Sequence, residues 1–143
     1  MNEQEIKALF RSIRSMRNIV NTHQRQIKNL TELAQTISSP QMSGMPHASG
    51  VHDKLGETVA RIDELERKLN DIVVAYTDKL RTAYELIELA DDIDGKNVIS
   101  LHWINGVPWD FIPSEINMDR RTMFRHYRRA MAEIVLKTKA DTE

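Results

Sequence analysis

From Ile6 to Ile37 the apolar residues of this chain fall at alternating steps of three and four: Ile6, Leu9, Ile13, Met16, Val20, then Ile27, Leu30, Ala34 and Ile37. An α-helix turns once in 3.6 residues, so these side chains form one narrow seam that must face another helix. Random sequence rarely sustains such spacing over five heptads. The seam therefore predicts a single long helix over 2–38 and a supercoiled partner for it. His23 fills the one seam position where an apolar residue is missing. No second ligand-type residue lies beside it at metal-binding spacing. It reads as a register-setting polar residue or a partly exposed core histidine before it reads as a ligand or pH sensor.

The partner comes next in the chain. Residues 38–50, with two prolines, two glycines and four serines, have the composition of a loop, long for a simple connection between helices. A second long helix is expected over 51–92. One apolar stripe runs Leu55, Ile62, Leu65, Leu69, Ile72, Tyr76, Ala83, Leu86 and Ala90, interrupted by Thr58 and Lys79. A second stripe, Val59, Val73, Leu80 and Ile87, lies beside it. Two adjacent stripes make a face too wide for one partner, so this helix should also cover a second protomer or the C-terminal part of the chain. Gly95, after Asp91-Asp92-Ile93-Asp94, is placed to stop it.

Beyond Gly95 the pattern shortens. Residues 96–106 suggest a short helix closed by Asn105-Gly106, its buried face drawn from Val98, Leu101 and Trp103 or Ile104. Another short helix should start near Pro108, which suits a first helical turn because its missing N–H would have no partner there. Ile112 and Ile116 share its inner face with Trp109 close by, and both tryptophans read as core. Asn117 stands where the chain must turn sharply, and Asn tolerates the left-handed conformation. Asp119 can then cap the free N–H groups of a final helix. There Met123, His126 or Tyr127, Ala130 and Ile134 recur at helical spacing, and the arginines are left for the other sides. This is the layout of a helix-turn-helix whose second helix enters a major groove of DNA.

The charge pattern agrees. From Asp119 to Lys139 the basic residues are Arg120, Arg121, Arg125, Arg128, Arg129, Lys137 and Lys139, against only Asp119 and Glu133. A helix made merely soluble would interleave both signs at i,i+4. Residues 51–94, by contrast, carry twelve acidic side chains against six basic ones. The net charge of −1 conceals this segregation, and local charge sets the field that a phosphate backbone meets.

Other classes recede. There is no cysteine, which removes disulfides, thiolate nucleophiles and zinc fingers together. No Gly-rich phosphate loop or nucleophile–base pattern is present, so no catalytic residue, metal or cofactor is expected and an enzyme is not. His47, His52 and Asp53 are close in sequence but straddle a loop boundary, which is weak evidence for a metal. No apolar run approaches the ~20 residues of a membrane span. Met1 leads straight into polar sequence, so no signal peptide is visible and the expected location is the cytoplasm.

The segment from Ser100-Leu101-His102-Trp103-Ile104-Asn105-Gly106 to Ala130-Met131 resembles the last DNA-binding region of bacterial sigma-70-type factors. The likeness lies in Trp109-Asp110 followed by Ile112, then the capped, Arg-rich Asp119-Arg120-Arg121-Thr122. Nearly the whole chain is similar to small phage and prophage proteins of undetermined function that place a helical hairpin before such a motif. Their interhelical loop is matched by Met45-Pro46, Ser49-Gly50 and Asp53-Lys54. The architecture is also similar to phage late-gene transcription activators. This resemblance implies a regulator at a phage promoter that touches host RNA polymerase. By position, Arg120, Arg121, Thr122 and Arg125 fall where sigma-like proteins contact DNA, and Met123, His126 and Ala130 fall on the buried side. Two positions depart from the pattern. Pro113 replaces a small residue and should kink or shorten its helix by removing a hydrogen bond, so alanine there is expected to stabilise. Phe111 replaces an acidic residue and is expected to be exposed.

The expected fold is all-α: a long antiparallel helical hairpin over 1–94 (helices 2–38 and 51–92), then a three-helix helix-turn-helix domain over 95–143. The expected function is sequence-specific binding of double-stranded DNA for phage transcription control, as a homodimer held by the hairpin. Arg121 and Arg125 would read bases, and Arg128 and Arg129 would meet phosphates. The alternatives are a phage terminase small subunit, or a coiled-coil adaptor or inhibitor that binds a host protein.

Overall fold

The structure is a computed structural model describing residues 1–38 and 49–142. The expected loop falls largely on 39–48, with Met45-Pro46 and His47, and so lies outside the described residues. The described chain is all-α: α1 is Glu3–Ser38, α2 Ser49–Glu88, α3 Ile93–Ile99, α4 Ile112–Glu115 and α5 Arg120–Thr142. A π-helical turn, Ser100–Ile104, prolongs α3, and a 3₁₀ turn, Trp109–Phe111, leads into α4. The two long helices pack against each other, as their seams require.

They do so in two compact units. The first joins residues 1–17 to residues 76–143, and the second is residues 18–75. The expected boundary at 94/95 therefore cuts through a shared core. Ile6, Phe10 and Ile13 of α1 and Ala83, Leu86 and Ile87 of α2 pack in one cluster with Val98, Trp103, Ile112, Met123 and Ile134. The physical reason is size. A piece of roughly fifty residues buries too small a share of its surface to be stable unaided. Here it takes its missing layer from the ends of the two long helices. The second stripe of α2 serves that purpose: Ile87 is buried and Leu80 packs against the cluster.

In the 18–75 unit the seam is present but thinner. Val20, His23, Ile27, Leu30, Ala34 and Ile37 of α1 are all half-buried, and Leu65 of α2 is the one buried residue among those described. His23 turns its ring onto its own helix, Nδ1 lying 3.0 Å from the Ile19 carbonyl. The polar breaks in the α2 stripe also find partners. Thr58 donates to the Lys54 carbonyl at 2.7 Å, and in the first unit Lys79 donates to Ser12 Oγ at 3.2 Å.

Between the long helices and α5 the structure differs from expectation at several residues. α2 ends at Glu88, not 92, and Gly95 does not stop it. Asp92 starts the next helix instead, its carboxylate accepting the Gly95 N–H at 2.9 Å. Gly95 is buried within α3, where a Cβ would collide with the His126 carbonyl oxygen and the Ala130 side chain. Its missing side chain lets α3 lie directly on α5. The support helix thus begins at Ile93 and reaches Ile104 through the π turn, rather than spanning 96–106. Asn105-Gly106 closes it as expected, Gly106 taking a φ of 75°. Arg17 covers that closure, donating to the Ile104 carbonyl at 3.3 Å.

Candidate nucleic-acid interface

The tight turn sets the geometry of everything after it. Ile116 N–H donates to the Ile112 carbonyl at 3.2 Å and Met118 N–H to the Pro113 carbonyl at 3.1 Å. Asn117, at φ 53°, supplies the left-handed residue that reverses the chain. Asp119 Oδ1 then accepts the Thr122 N–H at 3.1 Å, capping α5. Hydrogen bonds from Thr122 hold the Asp119 carboxyl below its ordinary range, so the cap stays charged.

The first helix of the motif is short, with Pro108 just before it in extended backbone (ψ 147°) instead of within its first turn. Pro113 sits in the first turn of α4, so it removes no helical hydrogen bond and kinks nothing. The helix is short because a 3₁₀ turn supplies its first half. Phe111 is 62% exposed, as expected from its place in the pattern.

Core residues fix the orientation of α5. Met123, Tyr127, Ala130, Met131 and Ile134 are buried. At 100° per residue the opposite side is occupied by Arg121, Arg125, Arg129, Ala132, Leu136 and Lys139, with Arg128 at its edge, all exposed. No acidic side chain falls on that stripe. The row from Arg121 to Arg128 is about 10 Å long. Arg120 and Thr122 lie off its centre. Arg120 leans toward the first helix, with Nη1 2.7 Å from Asp110 Oδ1 and its guanidinium 5.2 Å from the centre of the Phe124 ring. Thr122 is half-buried and its N–H is taken by Asp119. Arg129 is exposed at the edge of a hollow it shares with Asp91, Asp92, His126 and Glu133.

Aromatic packing underlies this face. Trp103 is 8% exposed, its Nε1 donating to the Tyr127 hydroxyl at 3.3 Å. Trp109 stacks on His102 at 3.7 Å between ring centres and meets Phe124 and Tyr127. Both tryptophans are packing residues, as their spacing suggested. His102 is 4% exposed and bonds the Val107 carbonyl through Nδ1 at 2.9 Å. Burial pushes its pKa below the ordinary histidine value, so it is neutral near pH 7.

Sequence reasoning missed the ties between α5 and the 89–92 segment. His126 Nδ1 lies 2.8 and 3.1 Å from the two Asp92 oxygens. Asp91 N–H donates to Glu133 at 2.7 Å, and Lys137 donates to Asp91 at 2.9 Å. One signal was available: His126 interrupts an inward-facing apolar series, and a half-buried histidine needs a polar partner.

No protein-family description, curated protein or solved structure matches this chain. No helix among the described residues is long and apolar enough to cross a membrane.

Proposed function

We propose that this protein is a sequence-specific binder of double-stranded DNA, a phage-type transcription regulator that inserts the N-terminal half of α5 into a major groove. One observation carries the reading: the stripe of α5 opposite the core bears Arg121, Arg125 and Arg129, with Arg128 at its edge, and no acidic side chain. It begins at a capped helix end set off by a left-handed turn. Arginine can grip guanine O6 and N7 with two parallel hydrogen bonds, and a helix-turn-helix presents this half of its second helix to base edges. Arg121 and Arg125 read bases, whereas Arg128 and Arg129, a turn later, meet phosphates. Arg120 braces the motif through Asp110 and turns to a phosphate only by leaving that partner. The promoter setting, with contact to host RNA polymerase, rests on the resemblance of the sequence.

Selection of bound duplexes from a random pool gives a preferred site. The Arg121→Ala, Arg125→Ala double variant then binds that site more weakly by about 1–3 kcal/mol per arginine and loses preference at the positions they read. A folded double variant that binds as tightly as the parent protein at two salt concentrations excludes α5 as the reading helix. The protein acts as a homodimer formed through the helix pair. A monodisperse monomer by light scattering at tens of micromolar refutes that part alone.

A further inference from the structure

The hollow between α3 and α5 holds chemistry that DNA binding does not use. Asp92, Asp94 and His126 each offer one ligand atom, and these atoms all lie within 4.8 Å of one another. Two of them are already fixed. The Asp92 side chain is 7% exposed and that of His126 21%, and His126 Nδ1 faces the Asp92 carboxylate at 2.8 and 3.1 Å. Zinc binds imidazole nitrogen and carboxylate oxygen at ~2.0–2.2 Å, which in a tetrahedral site puts neighbouring ligands roughly 3.3–3.6 Å apart. The Asp92 and His126 atoms stand a little closer than that, so they part slightly and release the proton between them to solvent as a cation enters. Asp94 is exposed, with its ligand atom within the same 4.8 Å. The hollow, about 530 Å³ and lined by Asp91, Asp92, His126, Arg129 and Glu133, leaves room for water on the remaining positions.

We infer that Asp92, Asp94 and His126 form a binding site for a divalent transition-metal cation of the zinc class, pinning α5 to the start of α3. One imidazole with two carboxylates favours such an ion over Mg²⁺ or Ca²⁺, which prefer all-oxygen sets. Arg129 lines the same hollow and competes for Asp92, but its exposed side chain can swing to solvent. The ion's positive charge then adds to the field beside the arginine stripe.

Titration calorimetry with Zn²⁺ on the full chain, and the visible bands of Co²⁺ in its place, test the site without any DNA. One ion per chain is expected, with a rise in melting temperature. Asp94→Asn alters an exposed group that caps nothing, keeps the fold, and should weaken binding by at least ~10-fold. His126→Gln should abolish the nitrogen-dependent Co²⁺ spectrum. Absence of binding at millimolar Zn²⁺ overturns the assignment. So does binding that both variants leave unchanged, which would place the ion elsewhere. Because DNA is absent from the assay, loss of this site leaves the DNA reading standing, and the converse also holds.

Discussion

The same two helices behave differently at their two ends. Over residues 1–17 and 76–90 they reach complete burial, with Ile6, Phe10, Ile13 and Ala83 all at 0% exposure. Over residues 18–75 the seam continues at the same spacing, yet among the described residues Leu65 at 3% is the one so enclosed, while Ile19, Leu33, Val59 and Val73 are exposed. The difference lies beside the seam, not in it. In the first unit Phe10, Leu80 and Ile87 beside the seam pack into the cluster that α3 to α5 complete, and in the second Val59 and Val73, on the same α2 stripe as Leu80 and Ile87, are exposed. A heptad seam obliges two helices to pair, but a pair alone leaves each seam residue half wet. Full enclosure needs a third layer, which α3 to α5 provide in the first unit.

Truncation sharpens that contrast most strongly. Phe10→Ala empties a site bounded on all sides, including the Trp103 ring stacked 5.9 Å away. It should cost about 3–5 kcal/mol of stability. Leu69→Ala, in the half-buried seam, should cost distinctly less, because its neighbourhood can relax into water. Urea unfolding of both variants checks this. Equal losses would mean that the 18–75 seam is as enclosed as the first unit's core.

A second contrast concerns charge. Arg25 and Lys28 of α1 are exposed cations like Arg121 and Arg125, but they belong to a helix pair whose other member is acid-rich. If the α5 stripe alone meets DNA, Arg25→Ala with Lys28→Ala should leave affinity for the selected site within about 0.5 kcal/mol. The two α5 arginines should cost several times more. A comparable loss from either pair in the same anisotropy titration would show that the whole basic surface binds without a reading helix.

These contrasts also mark what could be read from residues alone. The seam from Ile6 to Ile37, the left-handed Asn117, the Asp119 cap and the outward arginines all follow from local rules, and each stands where those rules put it; the exposed Phe111 followed from the family pattern instead. What local rules could not supply is which surfaces meet across the chain. Phe10 is one residue beside the seam, and nothing near it announces Trp103, which is distant in sequence. Gly95 resembled a helix stop because glycine ends helices often. Its actual role, letting α3 touch α5, depends on Ala130 and His126 arriving from elsewhere. The Asp92–His126 pair was hidden for the same reason.

Pro113 is the smallest test and the most local. Taken as a proline inside a helix it should destabilise, and alanine should raise stability, by less than the ~3 kcal/mol an unrelieved proline costs. The structure places it in the first turn of α4, where its absent N–H has no helical acceptor to miss and its fixed φ suits the turn. Its carbonyl still accepts the Met118 N–H at 3.1 Å, a bond that alanine would keep. The remaining difference lies in the unfolded chain, which alanine frees. Pro113→Ala should therefore lower stability slightly, by about 0.4–1 kcal/mol, with DNA affinity unchanged. Thermal melts of the two proteins decide the matter: a rise in melting temperature returns the proline to a helix interior and moves the start of the reading motif toward Pro108.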